Sequence, residues 1–376
     1  MSGLVAARRA LARVDLGAIE RNCARLLAEA RGGATLCAVV KADGYGHGAT
    51  ECAVAALAGG ASMLAVAAAE EARELRESFA DTPILVMGAL AGDEIDVALR
   101  ARAEVTAWRR EHLRDLGERA VAAGVRPRVH VKHDSGMGRL GERDPEAVAA
   151  LVRACAGDER LELAGLWTHF ATADEADRAY LDEQIARFAA LVERLRAEHP
   201  YLVVHAANSA ATLRAPESHF DMVRCGIAIY GLDPFHRDPA EHGLEPALEL
   251  ASYVADVKRF EPGASAGYGR RWRAPAETRV GVLPIGYGDG VRRGLTNNAE
   301  VLVRGRRYPL VGTVSMDNVT IDLGPETDVE PGDPAVLIGA QDSKRILCEE
   351  VAERLGTINY EVTCGISPRV PREYVR

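Results

Sequence analysis

Leu36-Cys37-Ala38-Val39-Val40, running into Lys41 and then Ala42-Asp43-Gly44-Tyr45-Gly46-His47-Gly48, is the stretch on which the fold turns. Five apolar residues without alternation, set off by Gly32-Gly33 upstream, are too few for a helix and fit a strand covered on both faces. Strands of that kind belong to parallel sheets, so helical crossovers are expected on either side. The same grammar repeats from about residue 15 to 230, with apolar runs at 36–40, 63–67, 84–87, 104–107, 128–131, 163–167, 202–205 and 222–229. Eight such runs with helical segments between them predict an α/β fold, a (β/α)8 barrel of TIM type. A doubly wound sheet more often stops at five or six strands.

After Pro234 the pattern changes. Residues 235–245 are polar and turn-rich, and the β-like runs that follow, at 254–257, 279–284, 300–303, 311–315 and 335–338, are punctuated by glycine and proline. A late helix over 348–355 is stopped by Gly356. Two domains are expected, a barrel over 1–243 and a mostly-β C-terminal domain over 244–376, since 376 residues exceed one hydrophobic core.

A net charge of −9 argues against nucleic acid or an anionic membrane as partner. Seven scattered cysteines without a C-x-x-C pair suggest neither a disulfide framework nor a zinc site, and point to a reducing cytoplasm. The stretch 1–13 has Arg8, Arg9 and Arg13 with no apolar run behind them, so no export signal is read there. The uncharged run 52–69 is broken by Gly59-Gly60 and reads as helix end, turn and buried strand rather than a membrane span.

Barrel enzymes carry their chemistry at the C-terminal ends of the strands. Lys41 stands there after the first run, Lys132 and Arg139 after the fifth, His169 after the sixth, Asn208 and Ser209 after the seventh, and Arg224 with Gly226 in the eighth. A lysine emerging between apolar walls is pushed toward the neutral amine that imine formation needs. A nucleotide-binding dehydrogenase is the rival, because Gly44-x-Gly46-x-x-Ala49 and Gly136-x-Gly138-x-x-Gly141 match glycine fingerprints. The second fails on context, since Glu142 to Asp144 intervene before the helix that Pro145 starts, and the first leaves Lys41 unexplained.

The string from Ala38 to Gly48 resembles the pyridoxal 5'-phosphate (PLP) attachment motif of the bacterial alanine racemases. Further segments follow in that family's order across essentially the whole chain: Val129 to Lys132 with Asp134 to Gly141, Thr168 to Asp174, Asn208 to Thr212, Arg224 to Gly231, Gly267 to Arg270, Gly286 to Gly290, Ser315-Met316-Asp317 and Ile358 to Glu361. The resemblance implies a fold type III PLP enzyme that interconverts L- and D-alanine for peptidoglycan, as a homodimer with shared active sites.

Carried over residue by residue, it makes Lys41 the Schiff-base lysine and one base, and Tyr268 of the other subunit the base on the opposite face. Two acid–base groups are what racemisation asks for, one on each side of Cα. His169 assists Tyr268, with Arg224 beyond it, and Arg224 also faces the pyridine nitrogen. Tyr45, Asn208, Ser209, the backbone at Gly226 and Ile227, and Tyr360 hold the cofactor and its phosphate. Arg139 and Met316 receive the substrate carboxylate, Tyr287 and Asp317 form part of the access gate, and Lys132 carries a carbamate. Ser315 stands where many relatives have cysteine. A barrel decarboxylase and a catalytically silent PLP carrier stay open beside this reading, as does serine in place of alanine.

Overall fold

The structure, a computed structural model, describes residues 8–376, so the first part of the 1–13 stretch lies outside the described residues. Its contacts group into two compact units. One is Ile19–Phe235 with His242–Leu244; the other is the described part of Met1–Ala18 with His236–Glu241 and Glu245–Arg376.

The chain enters through β1 (Leu11–Asp15) and α1 (Leu16–Glu29) and then alternates. The succession is β2 (Thr35–Val39), α2 (Lys41–Tyr45), α3 (Ala49–Ala58), β3 (Ala61–Val66), α4 (Ala69–Ser78), β4 (Ile84–Val86), α5 (Asp93–Arg100), β5 (Glu104–Ala107), α6 (Arg110–Ala123), β6 (Arg128–Lys132), α7 (Pro145–Ala156), β7 (Glu162–Trp167), α8 (Ala179–Glu198), β8 (Val203–His205), α9 (Ser209–Arg214) and β9 (Met222–Cys225). Strands β2 to β9 pair in parallel and close, with Leu36 beside Val223, so the expected TIM-type barrel is present. Burial on both faces is near complete: Leu36, Cys37, Ala38, Leu64, Ile84, Leu85 and Val129 are sealed from solvent. Local signals set the helix ends. Asp144 accepts from the Glu146 amide at 3.0 Å with Pro145 at the first helical position, and Gly124 closes α6 at φ 67°.

Two expected strands are shorter than read. The run 222–229 is a strand only to Cys225, because the Gly226 amide donates to the Ser209 hydroxyl instead of to a neighbouring strand, and Ile227–Tyr230 coils into a 3-10 turn. In the other unit, 311–315 leaves its sheet at Gly312, whose φ of 79° and bond to the Asn297 side chain redirect the chain.

The β-rich unit holds a long mixed sheet. After β10 (Leu248–Tyr253) and β11 (Asp256–Phe260) come β12 (Ser265–Ala266), β13 (Trp272–Arg273), β14 (Thr278–Leu283), β15 (Glu300–Val303), β16 (Arg306–Val311), β17 (Val319–Gly324), β18 (Pro334–Gln341), β19 (Lys344–Ile346), α10 (Cys348–Leu355), α11 (Asn359–Cys364) and β20 (Arg372–Val375). Strand β1 lies inside this sheet, antiparallel to β10 and parallel to β20. Residues 8–18 therefore go with the β-rich unit, whereas the sequence division at 243/244 leaves them with the barrel. Among the described residues no helix is long and apolar enough to cross a membrane.

Candidate active site

Lys41 leaves β2 into a left-handed turn. Ala42, Asp43 and Tyr45 have φ of 53°, 51° and 53° on either side of Gly44 at 60°, a conformation that costs L-residues about 1–2 kcal/mol each. Strain of this kind persists only where the surroundings enforce it. Here the Glu71 carboxylate accepts from the amides of Ala42, Ala67 and Ala68 at 2.6, 2.8 and 3.0 Å, and Asp43 accepts from the Ala49 amide at 2.9 Å, capping α3. Beneath the turn the sealed Tyr230 donates to Val39 O at 3.1 Å and stacks on His47, ring centroids 4.5 Å apart.

On the other side of the same barrel end, Arg224 is buried. Its guanidinium donates to Thr168 O at 2.9 Å and Ala206 O at 3.1 Å, and approaches His205 Nδ1 at 3.1 Å and His169 Nδ1 at 3.3 Å. The Trp167 ring lies 4.7 Å from the Arg224 guanidinium carbon and 4.1 Å from Lys132 Nζ, so one indole carries two cations. Burial, then the charges of Arg224 and Arg139, push the Lys132 ammonium down to about 7. Burial followed by Arg224 holds His169 well below the usual imidazole range, and burial lowers Arg224 to about 10. His169 is therefore a neutral acceptor toward Arg224.

An anion cradle sits between α9 and the 3-10 turn. The buried Ser209 hydroxyl accepts from the amides of Gly226 and Ala228 at 3.1 and 3.3 Å. A Cβ on Gly226 would lie 2.3 Å from the Tyr45 hydroxyl oxygen, so only glycine admits that phenol. Ile227, 1 % exposed, has no hydrogen-bond partner for its amide among the described residues, a costly state for a buried donor. Asn208 spends its side-chain oxygen on the Ala211 amide at 3.0 Å as a helix cap. A phenol, a hydroxyl and a spare amide converging in this way match a phosphate.

Arg139 is exposed on a loop folded around Asp134, whose carboxylate accepts from the amides of Gly136 and Gly138. The remaining expected residues belong to the β-rich unit, and four of them share one loop cluster. Thr313 donates to Tyr268 O at 2.6 Å, while the amides of Tyr287 and Gly288 donate to Ser315 O and Met316 O, each at 2.9 Å. Tyr268, Met316 and Tyr287 are 74, 51 and 43 % exposed. Asp317 pairs with Arg369 at 2.5 Å, and Ser315 closes a tight turn by donating to Asn318 O and accepting from the Asn318 amide. Tyr360 stands apart, on α11, its ring 6.5 Å from that of His236.

Sequence reasoning passed over Trp167, His205, His130 and Glu104, all at the barrel interior. The available signal was polar side chains at inward positions of otherwise apolar strands, where an unpaired charge is rare.

Two family models match the chain, alanine racemase N-terminal domain over residues 14–234 and alanine racemase C-terminal domain over 247–374. An alanine racemase of Desulfovibrio desulfuricans is 40 % identical over 365 residues, 97 % of each chain. Solved structures of alanine racemases from Streptomyces lavendulae and Streptomyces coelicolor superpose with TM-scores of 0.91, at 36 and 39 % identity and over 98 % of this chain, covering 97 and 98 % of theirs.

Proposed function

The chain belongs to the alanine racemase family, PLP-dependent enzymes that interconvert L- and D-alanine, and from that membership we propose how its own residues divide the work. The observation that carries the reading is the convergence of Lys41, Lys132, His169 and Arg224 at one barrel end beside the spare Ile227 amide. Lys41 would hold PLP covalently, with Tyr45, Ser209 and the Ile227 amide around its phosphate and Arg224 at its pyridine nitrogen. Bound in this way, PLP draws electrons from the substrate Cα and makes its proton acidic.

The proton itself is moved by the chain. The Lys41 amine serves one face of Cα and the Tyr268 phenol of a second copy serves the other. A phenol with its ordinary pKa near ~10 is a weak base at neutral pH. His169 answers this: with Nδ1 accepting from Arg224, its proton sits on Nε2, free to donate to a phenolate and favour that form. Arg139 and Met316 would meet the substrate carboxylate, Tyr287 and Asp317 would narrow the access path, and a carbamate on Lys132 would turn its charge from repelling Arg139 to attracting it. Tyr360 would add a second phenol to the phosphate's holders, and Asn208 would serve the cofactor site by capping α9.

The exposure of Tyr268, Tyr287 and Met316 on one loop cluster supports a homodimer in which domain 244–376 completes the partner's site. The protein works in the cytoplasm and supplies D-alanine for peptidoglycan. Lys41→Ala and Tyr268→Phe chains, each inactive alone, should regain activity when mixed, since hybrid dimers hold one intact site and about a quarter of all sites are restored. Solvent deuterium at Cα of L- and D-alanine reads the reaction directly. Exchange with other single amino acids but not alanine would overturn the substrate, and inactive mixtures would overturn the shared site.

A further inference from the structure

A continuous line of buried polar groups crosses the barrel core. From the floor upward, the Glu104 carboxylate on β5 meets His130 Nε2 on β6 at 2.6 Å, His130 Nδ1 meets His205 Nε2 on β8 at 2.9 Å, and His205 Nδ1 meets the Arg224 guanidinium on β9 at 3.1 Å. The four side chains are 6, 1, 0 and 3 % exposed. The line skips β7, and it can do so because the residue there is Gly165, where a Cβ would lie 2.2 Å from His130 Nδ1. At its lower end Glu104 accepts from Arg128 Nε at 3.0 Å and borders a cavity of about 700 Å³ at the N-terminal ends of the strands. Trp167 stacks parallel to the His205 ring, 5.7 Å away, and fixes its plane.

The two ends dictate every proton between them. Guanidinium has donors only, so His205 Nδ1 accepts and its proton sits on Nε2. That proton is given to His130 Nδ1, which leaves the His130 proton on Nε2, pointing at a carboxylate that can only accept. The opposite polarity would set an N–H of His205 against an N–H of Arg224. Both imidazoles are therefore neutral Nε2–H tautomers with dipoles aligned from the anion to the cation. Among the described residues no carboxylate lies within ion-pair distance of Arg224.

We propose that Glu104 is the remote counter-charge of Arg224 and, through His130 and His205, a positioning residue that sets the orientation and donor polarity of the guanidinium at the active end of the barrel. The placement of Arg224 beside the cofactor rests on the function proposed above; the proton order of the line does not. Glu104→Gln keeps an amide oxygen that can accept from His130 Nε2–H, so it removes the counter-charge at the far end of the line while the guanidinium still holds both tautomers in place.

The test is nitrogen NMR of the full-length holoenzyme labelled with ¹⁵N-histidine, in the wild type and in Glu104→Gln, alongside steady-state kinetics. In the wild type, His130 and His205 should each show one protonated and one bare nitrogen, with the proton on Nε2. In Glu104→Gln both tautomers should persist, the His205 Nε2 resonance should shift although residue 104 does not touch His205, and kcat should fall at least tenfold with KM for alanine within about twofold. A protein merely loosened at the barrel floor would lose stability without moving the His205 resonances. Unchanged His205 nitrogens in the variant overturn the proposal. So does a proton on Nδ1 of either histidine in the wild type, a readout that stands even if the variant does not fold. Loss of the PLP reading alone would alter the kinetics but leave the tautomers as stated.

Discussion

Gly165→Ala should be among the most damaging single-methyl additions in this protein. The new Cβ falls 2.2 Å from His130 Nδ1, 2.7 Å from its Cε1 and 2.9 Å from Val203 O, all far inside ordinary contact. The strand backbone is paired on both sides, Gly165 with His130 and with Val203, so the imidazole is what must yield. Displacing it breaks the 2.9 Å bond to His205 and strains the one to Glu104. Overpacking costs about 1–3 kcal/mol and each of the two groups of the broken bond left unpaired about 1–3 more, so a loss of about 3–9 kcal/mol follows. That is a large share of the roughly 5–15 kcal/mol of a whole domain. Urea unfolding followed by tryptophan emission in a Trp272→Phe background reads the barrel, which holds Trp108 and Trp167. In a His130→Ala background the same substitution should cost only about 1 kcal/mol, the residue of the Val203 O contact, so the two changes should be strongly non-additive. A single-variant loss below about 0.5 kcal/mol, or additive effects in the cycle, would refute the reasoning.

Lys132 carries a pH signature. Its folded-state pKa is about 7 against 10.5 for the free side chain, so between those values the unfolded chain holds more protons on it, and the stability of the wild type minus that of Lys132→Met should rise with pH, levelling near 10.5 and again below 7. The measurement belongs in carbon-dioxide-free buffer, where the buried cysteines contribute equally to both chains and cancel in the difference; identical slopes in wild type and variant would assign the effect elsewhere. With ¹³C-bicarbonate, the half-neutral amine near pH 7 should give a carbamate carbon signal that Lys132→Met lacks, and its absence from the wild type would sink the modification. Ser209→Ala and Asn208→Ala separate cradle from cap. The first orphans the Gly226 and Ala228 amides and should weaken PLP binding at least tenfold, whereas the second should cost about 0.5–2 kcal/mol of stability with PLP affinity within twofold. Equal effects on cofactor affinity would erase the distinction.

The barrel was legible because each strand is covered on both faces, which forces the unalternating apolar runs that mark it. Strand β1 was not, because nothing in Leu11–Asp15 says that its partners lie at Leu248–Tyr253 and Arg372–Val375; such pairings exist only once the chain has closed. Likewise, Asp43-Gly44 signals a turn but not its hand, and the left-handed twist is held in part by Glu71, 29 residues on from Ala42. Cofactor-side residues were named through family likeness in their own segments. Their supports were not, since Glu104, His130, Gly165 and His205 sit on four different strands and acquire meaning only when the barrel brings them into line.

Charge explains why those supports matter. The chain carries −9 overall, yet the active end of the barrel gathers Lys41, Lys132, Arg139 and Arg224, and the lowered pKa values of Lys132 and His169 both follow from burial with Arg224 next in weight. Such a cluster invites a phosphate and a carboxylate, but it also repels itself when they leave. A carbamate on Lys132 would relieve the repulsion from above, and the Glu104 line relieves it from below by holding an anion in register with Arg224 across two neutral rings. The two devices act on one cluster of cations from opposite sides. Loss of Glu104 should therefore lower kcat by a larger factor in the Lys132→Met background than in the wild type, the sign expected when two counter-charges share one cluster of cations, and equal factors would refute it.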